Sequence, residues 1–183
     1  MILTEEQSKI AEHVGRLRVK TGEGRPDLLD CANSPAGKRH VEGAVAECYV
    51  AIASGQPWRA YQANHKSRKE VNVPDVGPFE VKSVRARNHR IILHSTPLLQ
   101  SPHLLVLTQK HSPTQWECEL LGWCFGFEIW DKKWWDTTLP TPAYARPADS
   151  LYSKESLVKW AKSHQISVNR VEKPLFHKDW EPA

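Results

Sequence analysis

The sequence predicts an α/β fold in which a central mixed sheet of about five strands is flanked by helices. Three observations carry this: helical spacing of apolar residues up to about residue 55, short β-type runs divided by Pro and Gly after Trp58, and a return of helical spacing near residues 150–164. At 183 residues, one domain with a sizeable core is expected over 1–183. It divides into an N-terminal helix and loop (1–36), a core (37–165) and a tail (166–183).

Thr4 and Gln7 have capping-box spacing, and Ile10, Val14 and Leu17 follow at helical intervals, so a helix is expected over about 5–20. Residues 21–38, with glycines, prolines and no sustained period, read as a loop. From His40 the series Val41, Ala44, Val45, Cys48, Tyr49, Ile52 predicts a second helix, stopped by Gly55 and Pro57. Strands are expected at 70–73, 79–84, 90–94, 104–109 and 116–123. Proline-rich 139–147 reads as a loop or edge connection. Leu151, Leu157, Val158 and Ala161 then share one face of a late helix capped by Ser150 or Ser153. The tail from 171 is polar apart from Leu175, Phe176 and Trp180, and is expected to dock loosely or fray.

Composition narrows the function classes. The apolar fraction of 40% is too high for a disordered chain, and no apolar run approaches the roughly 20 residues of a membrane span. No membrane partner is expected, and the absence of a secretory signal pattern points to the cytoplasm. Cys31, Cys48, Cys118 and Cys124 form no CxxC pair and read as reduced packing thiols, with Cys118 and Cys124, six apart on one strand, facing the same side. The nine histidines include no HExxH. A net charge of +4 permits an anionic partner without requiring one.

The stretch that carries chemistry is Val73-Pro74-Asp75-Val76-Gly77-Pro78-Phe79-Glu80-Val81-Lys82. Glu80 and Lys82, two apart on a strand, leave the same face, while Phe79 and Val81 enter the other. A sharp turn at Gly77-Pro78 brings Asp75 back beside Glu80. Two adjacent carboxylates repel unless a cation neutralises them, so Mg²⁺ or Mn²⁺ is the expected ligand. Lys82 then stands where a cation orients an attacking water and offsets charge developing on a phosphodiester. The plain alternative is an exposed Glu80–Lys82 ion pair beside an ordinary turn residue.

Pro74-Asp75 followed by Glu80-Val81-Lys82 resembles the PD-(D/E)xK nuclease superfamily, the restriction-endonuclease-like fold. The resemblance covers roughly residues 37–165 and implies a metal-dependent nuclease acting on nucleic acid, DNA ahead of RNA. Homodimers are common in that family where two strands are cut. It implies that Asp75, Glu80 and the carbonyl of Val81 hold the metal, that Lys82 positions the water, and that Glu47 on the preceding helix completes the site, with Glu42 the weaker candidate. The competing expectation is a module of the same fold that binds nucleic acid or a protein without cutting.

Basic residues flank this stretch. Lys66, Arg68 and Lys69 precede it and Arg85, Arg87 and Arg90 follow it, the latter at an expected hairpin tip, all suited to a phosphate backbone. Arg59, His65 and His89 belong to the same flanks, and His94, Ser95 and Thr96 are candidate supporting donors. Of eight tryptophans, five (Trp116, Trp123, Trp130, Trp134, Trp135) fall within twenty residues. Trp116 and Trp123, in a strand-like run, are expected in the core, while Trp134-Trp135 beside Lys132-Lys133 form a candidate basic-aromatic patch for stacking on unpaired bases.

Overall fold

The computed structural model describes residues 1–22, 35–60, 73–94 and 98–175. Helix α1 (Glu5–Gly22) opens with the expected capping box: Gln7 N donates to Thr4 Oγ1 at 3.2 Å, and Thr4 N donates to Gln7 Oε1 at 2.9 Å. Helix α2 (Pro35–Ser54) is buried continuously over residues 44–52, because α1 covers one side and the sheet the other. The helices approach closely at Gly15, where a Cβ would lie 2.5 Å from Val41 Cα.

The strands are β1 (Glu80–Val84), β2 (Arg90–Leu93), β3 (Pro102–Ser112), β4 (Gln115–Phe125), β5 (Trp135–Asp136) and β6 (Ala143–Pro147); the one-turn α3 (Gly126–Ile129) follows β4, and α4 (Lys154–Ser163) follows β6. Among the described residues they form two three-stranded sheets, which corrects the expectation of one sheet of about five strands. In the first, β1 runs parallel to β3 and β3 antiparallel to β4; in the second, β6 lies between β2 and β5, all antiparallel. The division has a local cause. Residues 85–89 do not close a hairpin but carry the chain out of the first sheet, and β2 then pairs with β6. β6 lies in the proline-rich segment read as a loop, and its Pro147 stands at the strand end, where a missing N–H is tolerated. Of the strand expected at 70–73, residues 70–72 lie outside the described residues and Val73 is in a bend.

One irregularity changes which side chains meet. Leu105 pairs with Gly122 but Val106 pairs with Leu120, so Leu121 is an extra residue in β4. This bulge reverses the alternation. Cys118 therefore joins the core under the helices, with Val45, Ile52, Phe79, Val81, Leu104 and Trp123, whereas Cys124 joins the opposite core, with Val84, Ile91, Leu105 and Ile129. The expectation that the two thiols share a face fails for that reason. Both are buried and burial pushes each to about 12, as inert packing thiols should be.

Helix α4 is capped by Ser153, whose hydroxyl accepts from Ser156 N, and it rests on β4. The tail docks on the end of α2: Asn169 N donates to Ser54 O and Val171 N to Ile52 O. Among the described residues no helix is long and apolar enough to cross a membrane.

Candidate active site

A two-residue turn builds the site. Val76 N donates to Phe79 O at 3.0 Å and Phe79 N to Val76 O at 2.8 Å, with Gly77 at φ +51°, a left-handed conformation that disfavours side-chain-bearing residues. Pro78 follows with its restricted φ. The turn is clamped from outside, since Gly77 N donates to Pro57 O, Arg59 N donates to Asp75 O, and Val76 also bridges Trp58. Asp75 is thereby returned to the start of β1, where its Oδ2 accepts from Val81 N at 2.9 Å.

On β1 the alternation falls as the period of two requires. Phe79 and Val81 are buried in the helix-side core, while Glu80 and Lys82 are half-buried and joined by an Nζ–Oε1 contact of 2.7 Å. Glu47 reaches the same cluster from α2. Its own partners, however, come from elsewhere: Arg18 of α1 grips both carboxylate oxygens at 2.7 and 2.5 Å, and Trp58 Nε1 donates to Oε2 at 2.8 Å. Arg18 Nε also donates to Ala60 O at 3.1 Å.

The groups feel one another. Burial raises the pKa of Asp75 well above its ordinary value, and the negative charges of Glu47 and Glu80 raise it further, against Lys82 and the Val81 N–H. Burial works against the charge on Lys82, but Glu80, Asp75 and Glu47 outweigh it and leave its pKa raised. The same balance holds at Arg18, where burial opposes the charge and Glu47 prevails. Among the described residues three carboxylates thus face two cations, and Arg18 is committed to Glu47. Among the described residues, Asp75 and Glu80 have Lys82 as their cation, one positive charge short when both carboxylates are ionised.

That deficit, together with hard oxygen donors, fits Mg²⁺ or Mn²⁺ in kind. Among the described residues no three Asp, Glu, His or Cys side chains stand grouped as a ready metal-holding set; Asp75 Oδ2 accepts from Val81 N, Glu80 Oε1 from Lys82, and Glu47 from Arg18.

Two residues of this neighbourhood were missed in the sequence. His103 stands beside Glu80 in the parallel register and is fully buried; its Nδ1 lies 2.9 Å from Ser101 O, so Nδ1 is the protonated nitrogen. Arg18 is the other. Its signal was present, since it continues the inward spacing of Ala11 and Val14, a place where an arginine demands a partner.

The basic flanks are less free than expected. Arg85 is held by Glu42 at 2.8 and 2.9 Å, Arg87 by Glu119, and Arg90 by Asp136 at 2.6 Å. Glu42 is thereby occupied by Arg85. Lys66, Arg68, Lys69, His65, Ser95 and Thr96 lie outside the described residues, and His94 is exposed on the segment after β2. Trp116 and Trp123 are core residues, as expected, and Trp135 is 48% exposed beside Tyr144. No family model, no curated protein and no solved structure matches this chain.

Proposed function

We propose that the protein is a divalent-metal-dependent nuclease that hydrolyses phosphodiester bonds, with DNA as the substrate. The observation that carries this reading is the meeting of Asp75, Glu80 and Lys82 across the Gly77-Pro78 turn, which among the described residues is one positive charge short when both carboxylates are ionised. Asp75, Glu80 and the carbonyl of Val81 would hold Mg²⁺ or Mn²⁺, which would supply positive charge against the phosphodiester transition state and acidify a water. Lys82, steered by Glu80, orients the attacking water and offsets charge on a phosphate oxygen. Glu47 acts as a positioning residue: held by Arg18 and Trp58, it fixes the field at Asp75 and the segment that clamps the turn.

The test incubates the full chain and its Lys82→Ala variant with labelled single-stranded, duplex and branched DNA and with RNA, in Mg²⁺, Mn²⁺ or EDTA, scoring binding and cutting. Metal-dependent cleavage is expected, with a loss of roughly 10²–10³-fold in the variant, the scale of removing one preorganised donor. Cleavage indifferent to both metal and Lys82 overturns the reading. A second reading, a module that binds without cutting, draws support from the engagement of both Glu47 oxygens by Arg18. It expects salt-sensitive binding that Lys82→Ala leaves uncut and nearly unchanged.

A further inference from the structure

We propose that Gly43 of α2 is a clearance position, kept without a side chain so that the sugar-phosphate strand next to the scissile phosphate can lie between α2 and the β1–β2 link. The inference rests on the nuclease reading and identifies the path of its substrate.

An open cleft of about 540 Å³ has Lys82 in its lining. Gly43 forms one wall, and Ser83, His89, Arg90 and Ile92 form the other. That volume falls within the range of about 300–1,000 Å³ typical of ligand clefts. Gly43 lies inside a 20-residue helix, where glycine is less favourable than alanine by about 1 kcal/mol. Packing does not explain it. Among the described residues, a Cβ built at Gly43 meets nothing within 4 Å, whereas one at Gly15 would strike Val41 Cα at 2.5 Å. Gly15 is needed for helix contact; Gly43 borders the cleft.

The position of that space is informative. Gly43 and Glu47 are four apart, so they lie on one stripe of α2, one turn from each other. A side chain at 43 would project from the same stripe that meets the Asp75 cluster, into the approach to Lys82. The opposite wall suits a phosphate: His89 is exposed, and Arg90 is 39% exposed in its pair with Asp136. Pairs this exposed hold so weakly that an incoming phosphate can compete for the guanidinium.

The experiment compares wild type, Gly43→Ala and Gly43→Leu for thermal midpoint and for binding of a fluorescent single-stranded or duplex oligonucleotide by anisotropy in EDTA, followed by cleavage in Mg²⁺. Gly43→Ala is expected to raise the midpoint by about 2–4 °C, since it removes a helical glycine in a chain of this size. Gly43→Leu is expected to stay folded but bind at least tenfold more weakly, with Gly43→Ala intermediate. Undiminished binding and cutting by folded Gly43→Leu overturns the clearance role and leaves the nuclease reading standing. A wild type that neither binds nor cuts overturns the nuclease reading, and the inference falls with it.

Discussion

Both carboxylate oxygens of Glu47 are held by one side chain, Arg18, which arrives from a different helix 29 residues earlier. The pair is bidentate and mostly buried, with side-chain exposures of 22% and 7%. Losing one member leaves the other as an uncompensated charge. Arg18→Ala should therefore cost about 3 kcal/mol in equilibrium urea unfolding, near the lower end for a buried pair. Combining Arg18→Met with Glu47→Gln should recover more than half of that loss. An Arg18→Ala loss under about 1 kcal/mol would show that the pair does not hold α1 to the site.

Asp75 makes the metal-free protein sensitive to pH in an unusual direction. Its folded pKa lies above the ordinary 3.8, because burial and two neighbouring carboxylates disfavour its charge. The folded state therefore keeps a proton that the unfolded state has released, and the contribution of Asp75 to stability declines as pH rises from 3.8 through the folded value. Asp75→Asn should remove that slope and raise the melting temperature at neutral pH in EDTA, while abolishing metal-dependent cleavage. Lys82, with its pKa raised above 10.5, should add no falling limb to activity below that pH.

His103 acts in the opposite sense. Burial, and to a lesser extent Lys82, lowers its pKa from 6.5 against the pull of Ser101 O and Glu80. The unfolded chain is protonated first, so this contribution is complete above pH 6.5 and is lost as pH falls through the folded value. His103→Gln should flatten the acid side of a stability–pH curve measured by chemical denaturation. An unchanged curve would refute the assignment of neutral His103 beside Glu80.

The surface arginines should separate stability from binding. Arg87, 67% exposed, lies in an ion pair with Glu119 that water and salt screen, so Arg87→Ala should barely move the unfolding midpoint. If Arg85, Arg87 and Arg90 contact phosphates, each alanine variant should reduce the log–log salt slope of DNA binding by about one. Unaltered slopes in all three would remove them from the interface.

The candidate site was legible because it is local. Asp75, Glu80, Val81 and Lys82 lie within eight residues, and strand alternation plus one two-residue turn suffices to place them. The helices were legible for a similar reason: capping at Thr4, the apolar series of α2 and the Ser153 cap are all short-range signals. What escaped depends on partners distant in sequence. The prolines of 139–147 obscured β6, which exists as a strand because β2 and β5 pair with it, and the bulge at Leu121 is defined only against β3.

The sequence by itself determined that Glu80 and Lys82 share a face and that Asp75 turns back to meet them, because steric limits on the backbone act over a few residues. Tertiary structure alone decided that Arg18 claims Glu47, that His103 lies beside Glu80 and that Gly43 opens onto Lys82. Those juxtapositions follow from how helices and strands bury their faces against one another, and a buried charge takes whatever partner that packing delivers.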